Sequence, residues 1–136
     1  MTRAVDTSML VAAFASWHED HLLAVGEVAR RPRLIAHSMI EAFSVLTRLP
    51  EPQRADPAMV AEFLERNFRD DPLVLGPADA RAVPGTLAGL GVVGGSAYDG
   101  LIALTALAGD ATLVSLDQRA AATYRRCGVK FEIVGG

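Results

Sequence analysis

Apolar residues recur along the chain in short runs typical of buried strands and in longer runs spaced for one face of a helix. The short runs lie at 4–8, 34–36, 73–75, 112–116 and 130–134. The longer runs lie between them, at 9–15, 18–30, 42–49, 58–68, 79–90, 96–108 and 118–127. Strands that alternate with helices at this spacing predict an α/β fold with a central parallel sheet.

Several polar residues and glycines predict where these helices begin and end. Ser38 and Glu41 have the Ser-x-x-Glu spacing of a capping box ahead of the helix at 42–49, and Ser96 is a good N-cap for the helix that follows it. Asp56 is a predicted N-cap because a proline, favoured at the first helical position, comes directly after it. Gly109 is expected to end its helix in a left-handed conformation. The stretch 84–95 is the weakest predicted element, because it contains one proline and five glycines.

Four carboxylates occupy comparable positions in these predicted elements. Asp6 ends the first strand, Glu41 and Asp99 lie in the first turns of helices after capping serines, and Asp117 follows a strand. Because the carboxyl ends of parallel strands meet at one edge of the sheet, we expect all four to face the same rim. Clustered carboxylates repel one another unless a hard divalent cation such as Mg²⁺ or Mn²⁺ neutralises them. The pattern therefore predicts a metal site of the kind that hydrolyses phosphodiesters.

A purely structural interpretation of each acid stands beside this one. The two serine-led patterns are explained by helix capping alone, and Asp6 or Asp117 also suits a cap. Taken singly, each acid is more often structural. The four together favour the metal site.

At these residues the sequence resembles the PIN-domain ribonucleases and, within them, the VapC-type toxins of toxin-antitoxin pairs. The resemblance rests on four short motifs in order, which extend over nearly the whole chain: VDTS at 5–8, IE at 40–41, YDGLIALTA at 98–106 and LVSLDQRA at 113–120. It implies a single PIN-like domain over residues 1–136, with a central parallel sheet flanked by helices.

The resemblance also implies function. It predicts that Asp6, Glu41, Asp99 and Asp117 hold Mg²⁺ or Mn²⁺ and that the protein cleaves RNA. Ser115 matches a family Ser or Thr that supports the metal site, and Thr7 is a weaker candidate for the same role. The expected partners are an RNA substrate, a second copy of the chain in a homodimer, and a cognate antitoxin. The flexible tail of the antitoxin would pack along helices that carry more apolar side chains than one sheet face can bury, and would place an arginine near the acidic rim. These apolar side chains are Leu22, Leu23, Val25, Met39, Phe43, Phe63 and Leu64.

Composition narrows the class of protein. A chain of 136 residues with 51% hydrophobic residues suits one domain with a sizeable core, and a net charge of −3 offers no global basic field for nucleic acid. The single Cys127 excludes an intrachain disulfide and fits a reducing compartment. No run approaches the ~18 apolar residues of a membrane span. We therefore expect a cytoplasmic protein without a membrane segment, in which any contact with nucleic acid is local.

Other patterns leave alternatives to weigh. Arg119 either binds an RNA phosphate or forms an ion pair with a site acid. The G-x-G-x-x-G pattern at 89–94 follows a helix instead of a strand, and the HEDH stretch at 18–21 lacks zinc-protease spacing, so both are interpreted as structural. A non-catalytic PIN-like binding module is the main alternative function. A phosphatase or receiver-like domain is disfavoured because Lys130, the only lysine, lies near the C-terminus.

Overall fold

The sheet of the computed structural model contains three parallel strands, β1 (Thr2–Val5), β2 (Ala111–Ser115) and β3 (Phe131–Ile133), with β2 in the middle. The structure describes residues 2–135. In the register of the strands, Ala4 pairs with Leu113 and Leu113 pairs with Phe131. All five residues of β2 are buried, as expected for an interior strand of a parallel sheet. The predicted strands at both ends of the chain and at 112–116 are therefore confirmed to within a few residues.

The sheet continues beyond β1 through single parallel bridges, one between Ala4 and Arg33 and one between Ile35 and Leu73. Short strands were predicted at 34–36 and 73–75, but these segments form only isolated bridges and no regular strand. A helix already begins at Ala36, so only a short extended segment remains before it. The chain still passes beside the sheet at these points, which preserves the predicted order of elements.

Seven helices surround the sheet in the described part of the chain. They are α1 (Thr7–Phe14), α2 (His21–Val28), α3 (Ala36–Thr47), α4 (Pro57–Asn67), α5 (Pro77–Leu90), α6 (Ser96–Ala108) and α7 (Ala121–Cys127), and a 3₁₀ turn at Gln118–Ala120 precedes the last. All seven were predicted. The largest difference is at α3, which begins six residues earlier than the predicted start at 42.

Side-chain alternation along the strands divides the core into two layers. Ala4 and Leu113 point into a cluster completed by α5, α6 and α7, whereas Val5 and Val114 point into a cluster completed by α1, α2 and α3. A third, smaller cluster joins α1, α3 and α4 around Leu46. The result is the predicted central parallel sheet with helices on both faces.

The helix ends show which local signals were correct. Asp56 caps α4 by accepting a hydrogen bond from the Ala58 amide at 2.9 Å, as predicted. Ser38 lies inside α3 and Ser96 is the first residue of α6, so neither serine is an N-cap. The left-handed residue after α6 is Asp110, with φ 52°, and not Gly109, with φ −87°.

Among the helices of residues 2–135, none is both long enough and apolar enough to cross a membrane.

Candidate active site

Asp6 lies at the carboxyl end of β1, where the strand turns directly into α1. Its amide donates to the Val114 carbonyl at 3.2 Å, and its side chain caps α1 by accepting from the Met9 amide at 3.3 Å. Asp6 therefore performs the capping role considered for it. A helix cap is usually exposed, whereas only 3% of Asp6 is exposed, so capping alone does not explain why this acid is buried. The buried carboxylate is held at the rim of the two central strands.

Two hydroxyl groups also hydrogen-bond to the Asp6 carboxylate. Ser8 donates to Oδ1 at 2.6 Å, and the buried Tyr124 of α7 donates to Oδ2 at 2.6 Å. Burial raises the pKa of Asp6, and hydrogen bonds from Ser115, Ser8 and Tyr124 partly offset this effect. Burial and the nearby charge of Asp6 raise the pKa of Tyr124 above its ordinary value, so Tyr124 stays a hydrogen-bond donor.

Ser8 and Ser115 connect the ends of β1 and β2. Their Oγ atoms lie 3.3 Å apart. Ser8 Oγ accepts from the Leu116 amide, and Ser115 Oγ accepts from the Asp117 amide, each at 2.9 Å. Ser115 therefore lies at the rim and fixes the backbone that carries Asp117.

Asp117 and Arg119 form the exposed side of the site. Asp117 caps the 3₁₀ turn, with Oδ1 accepting from the Arg119 amide at 2.9 Å. Arg119 Nε lies 3.6 Å from the same oxygen, while the Arg119 side chain is 95% exposed. An ion pair this exposed is worth little, so the guanidinium remains free to turn toward another anion.

Glu41 is held by residues of two helices. Thr7 Oγ1 donates to Oε1 at 2.6 Å, and His37 Nε2 lies 3.3 Å from Oε2. Glu41 is the sixth residue of α3, so the predicted position in the first turn was wrong, and no capping box forms. Ser38 is fully buried, and its Oγ has no hydrogen-bond partner within residues 2–135. The position of Glu41 therefore has no capping explanation.

Asp99 lies in the first turn of α6 and interacts with the other three acids. Its pKa is raised to about 6, first by burial and then by the charges of the other three acids, while Arg119 lowers it. The other three acids are Asp117, Asp6 and Glu41, in decreasing order of effect. Asp117, Asp6 and Glu41, which come from separate segments, therefore each lie close enough to Asp99 to repel its charge.

These acids do not form a closed metal-ligand cluster. Within residues 2–135, no three His, Cys, Asp or Glu side chains converge tightly enough to constitute one. Asp6, Glu41 and Asp117 are instead each held by their own hydrogen bonds, those of Glu41 running to Thr7 and His37 and that of Asp117 to the Arg119 amide. The four acids still suit a hard divalent cation, because such cations prefer oxygen ligands and the acids offer carboxylate oxygens.

Sequence reasoning missed the roles of Ser8 and Tyr124. Ser8 stands two residues after Asp6, a spacing at which a hydroxyl can bond to a neighbouring carboxylate, so a local signal existed. Tyr124 lies 118 residues from Asp6, and nothing in its helix distinguishes it from an ordinary core aromatic.

The alternative metal-like motif is structural, as interpreted. His21 Nδ1 lies 2.8 Å from the Ala12 carbonyl oxygen, and His18 Nδ1 accepts from the Asp20 amide at 3.0 Å. Both rings are used in local contacts around the start of α2. The G-x-G-x-x-G stretch at 89–94 begins within the last turn of α5 and follows no strand, which excludes a dinucleotide fingerprint.

Comparisons with known proteins agree with this geometry. The PIN domain family model matches residues 3–126. Ribonuclease VapC40 of Mycobacterium tuberculosis is 44% identical over 131 residues, covering 96% of this chain and 98% of the relative. Ribonuclease VapC27 of the same species is 38% identical over 127 residues, covering 93% and 92%.

Two solved structures share the fold at low sequence identity. VapBC2 from Rickettsia felis, bound to a DNA fragment from its promoter, matches with a TM-score of 0.68 and 13% identity over 99% of this chain and all of that chain. FitAcB from Neisseria gonorrhoeae matches with a TM-score of 0.65 and 18% identity over 96% of both chains. The family model, the two ribonuclease relatives and the acidic rim lead to one conclusion: this chain belongs to the PIN-domain family and, within it, to the VapC-type proteins.

Proposed function

We propose that the protein is a divalent-metal-dependent endoribonuclease whose Asp6, Glu41, Asp99 and Asp117 hold Mg²⁺ or Mn²⁺. The observation that carries this proposal is the raised pKa of Asp99, which the other three carboxylates help to cause. Mutual repulsion of this kind is costly to the folded protein, and a bound cation would remove the cost. The ribonuclease names of two relatives with close to full coverage support RNA as the substrate.

When bound, the cation would supply an activated water for attack on the phosphodiester and would stabilise the leaving oxygen. The protein groups orient the ligands for that chemistry. Tyr124 and Ser8 fix the two oxygens of Asp6. Thr7 and His37 do the same for Glu41. No residue is required as a covalent nucleophile.

Substrate contact requires a positive group beside these acids. We assign that role to Arg119, whose exposed guanidinium is held only by a long contact to Asp117. A planar guanidinium matches the oxygens of a phosphate in a bidentate arrangement. Arg119 would therefore place an RNA phosphate next to the cation site.

We further propose that the protein is the toxin of a toxin-antitoxin pair and binds a cognate antitoxin. The VapC relatives and the VapBC2 and FitAcB structures support this. Of the apolar residues expected to need a partner, Leu22, Leu23 and Val25 of α2 are exposed, Leu22 by 83%. A separate cavity of about 540 Å³ lies between α3 and α4 and includes the other candidates Met39, Phe43 and Leu64. Phe63, the last of this predicted set, is half-buried in the core.

A homodimer and a cytoplasmic location complete the proposal. The high apolar fraction supports a second copy as a partner for exposed apolar helices. A ribonuclease with one buried cysteine fits a reducing compartment that contains RNA.

The decisive experiment compares wild-type protein with Asp99→Asn. Titration with Mn²⁺ followed by calorimetry should show binding to wild type and little or none to the variant, and RNA cleavage should be lost with it. Asp79→Asn is a matched control, because Asp79 also lies in the first turn of a helix but is exposed and outside the site. If the protein is instead a non-catalytic PIN-like module, the wild-type protein itself should bind no Mn²⁺ and cleave no RNA.

A further inference from the structure

The ring of Tyr98 is stacked flat on the ring of His37 at the edge of the acidic site. The two ring centroids are 5.6 Å apart, with an angle of 5° between the planes. Tyr98 is nonetheless 58% exposed, more than Trp17 at 47%. Parallel rings at this separation are offset, so His37 covers only part of one face of Tyr98, and the uncovered part of the ring, its open face, is available to a further contact.

We propose that this open face of Tyr98, supported by His37, is a stacking surface for a base of the RNA substrate. The inference rests on the proposed function and adds how the enzyme holds its substrate. Single-stranded RNA is commonly bound by stacking its bases on aromatic side chains, including tyrosine and histidine.

The position of the pair connects it directly to two site acids. Tyr98 immediately precedes Asp99 in the first turn of α6. His37 Nε2 lies 3.3 Å from Glu41 Oε2, and this contact fixes the His37 ring relative to the site. A base on Tyr98 would therefore belong to a nucleotide adjacent to the phosphate at the carboxylates.

Space for a base exists beside the ring. Tyr98 lines an open surface cavity of about 430 Å³ whose other walls are mostly apolar, including Val93, Ala97 and Leu101. His37 lines a neighbouring apolar cavity of about 480 Å³, which also includes Leu101. An apolar cavity beside an exposed aromatic face suits a flat, uncharged ring better than a phosphate.

Electrostatics explain why the site needs such a contact. Four carboxylates repel the phosphates of RNA, and the protein carries a net charge of −3. Arg119 is one positive group among them. Stacking provides affinity that does not depend on charge, so it can hold RNA beside a group of acids that repels phosphates.

The test measures binding and cleavage of a fluorescein-labelled random-sequence RNA 20-mer pool by Tyr98→Ala, Tyr98→Phe and wild type. We expect Tyr98→Ala to raise KM and the Kd measured in Ca²⁺ by about 10-fold, with kcat within about 3-fold, because stacking on an aromatic is lost. Tyr98→Phe should restore both values to near wild type, since stacking needs the ring and not the hydroxyl. Thermal unfolding of all three proteins should be alike, because the ring is exposed.

Trp17→Ala is the matched control. Trp17 is also an exposed aromatic next to a histidine, at 6.0 Å from His18, but it lies away from the acids. Its KM and Kd should equal those of wild type. Equal KM and Kd for Tyr98→Ala and wild type would overturn the proposal, and so would a Tyr98→Phe variant as impaired as Tyr98→Ala. If wild type binds RNA through Tyr98 but cleaves none in Mg²⁺ or Mn²⁺, the stacking surface stands and the proposed nuclease activity fails.

Discussion

The hydroxyl of Tyr124 donates a hydrogen bond of 2.6 Å to the carboxylate of Asp6, joining α7 to the end of β1. Both residues are almost fully buried, at 1% and 3% exposure. This contact gives the buried acid a donor that is always protonated, since the pKa of Tyr124 lies well above its ordinary value. The hydrogen bond therefore orients the buried carboxylate and partly offsets the effect of burial on the pKa of Asp6.

Replacing Tyr124 with phenylalanine tests that relationship. The hydrogen bond from Tyr124 lowers the pKa of Asp6, so its loss should raise that pKa further. We expect RNA cleavage to fall by roughly 10-fold and the acidic limb of the pH–rate profile to move to higher pH, with about 1 to 2 kcal/mol of stability lost. An unchanged acidic limb would show that Tyr124 serves only to pack the core.

The pKa of Asp99 predicts how stability depends on pH when no metal is added. Asp99 has a pKa of about 6 in the folded protein and 3.8 in its ordinary environment. Between these values the folded protein binds more protons than the unfolded chain, so the free energy of unfolding should fall as pH rises from about 4 to about 6. Asp6 shifts in the same direction and adds to this fall.

Asp99→Asn should remove most of this pH dependence. In EDTA at pH 7 we expect the variant to be about 1 to 2 kcal/mol more stable than wild type, after allowance for solvent screening of a partly exposed group. The two proteins should converge near pH 4. Urea unfolding at several pH values measures this, with Asp79→Asn as the control that follows wild type.

Asp6→Asn should also lose RNA cleavage, but it should gain no stability. Ser8 and Tyr124 each donate a hydrogen bond to one oxygen of Asp6, so the amide nitrogen of asparagine would face one of these two donors.

Glu41→Gln separates ligand function from structure. Glutamine keeps an oxygen that can accept from Thr7, and no capping box depends on the carboxylate. We therefore expect cleavage to fall more than 10-fold while the thermal midpoint changes by about 2 °C or less. Glu65→Gln, an exposed acid on α4, is the control. A parallel loss of activity and stability would assign Glu41 a structural role.

The buried ion pair at the start of the sheet predicts a pure stability effect. Arg3 donates two hydrogen bonds to Glu27, at 2.8 and 2.9 Å, and forms a further ion pair with Glu132. Arg3→Met would leave Glu27 charged and buried, which should cost about 3 to 5 kcal/mol. Glu132→Gln should cost less than about 1 kcal/mol, because Glu132 is half-exposed. Denaturant unfolding of both variants measures the difference.

Local sequence signals predicted the elements well and their ends less well. Asp56 followed by a proline located the start of α4 correctly. The start of α3 could not be predicted this way, because its N-cap position is Ile35, which makes no side-chain cap. Ser38 has the spacing of a cap but is buried within the helix, so tertiary packing decides its position.

The acidic site was predictable for a topological reason, and its supporting contacts were not. Parallel strands place their carboxyl ends at one edge, where Asp6 and Asp117 follow β1 and β2, and a helix that leads into a parallel strand, as α6 does, begins at the same edge. The hydrogen bond between Asp6 and Tyr124 depends on how α7 packs against the sheet. The stack of Tyr98 on His37 depends similarly on how α3 and α6 approach each other, information that no local pattern contains.

The last prediction concerns the antitoxin and the cavity between α3 and α4. Ile40, which is 67% exposed, lines this cavity next to Glu41. An antitoxin tail bound there could reach the acids and place an arginine among them, where it would compete with the cation.

Ile40→Glu should therefore weaken binding of the co-expressed antitoxin by at least 10-fold and restore RNA cleavage in the mixture. Cleavage by the variant alone should remain within about 3-fold of wild type, because its side chain points away from the core and no hydrogen bond depends on it. Leu107→Glu, at the opposite edge of the sheet and 46% exposed, should leave the complex intact. Hydrogen exchange on the wild-type complex should show protection in α3 and α4, and protection confined to α2 around Leu22 would move the antitoxin to that helix instead.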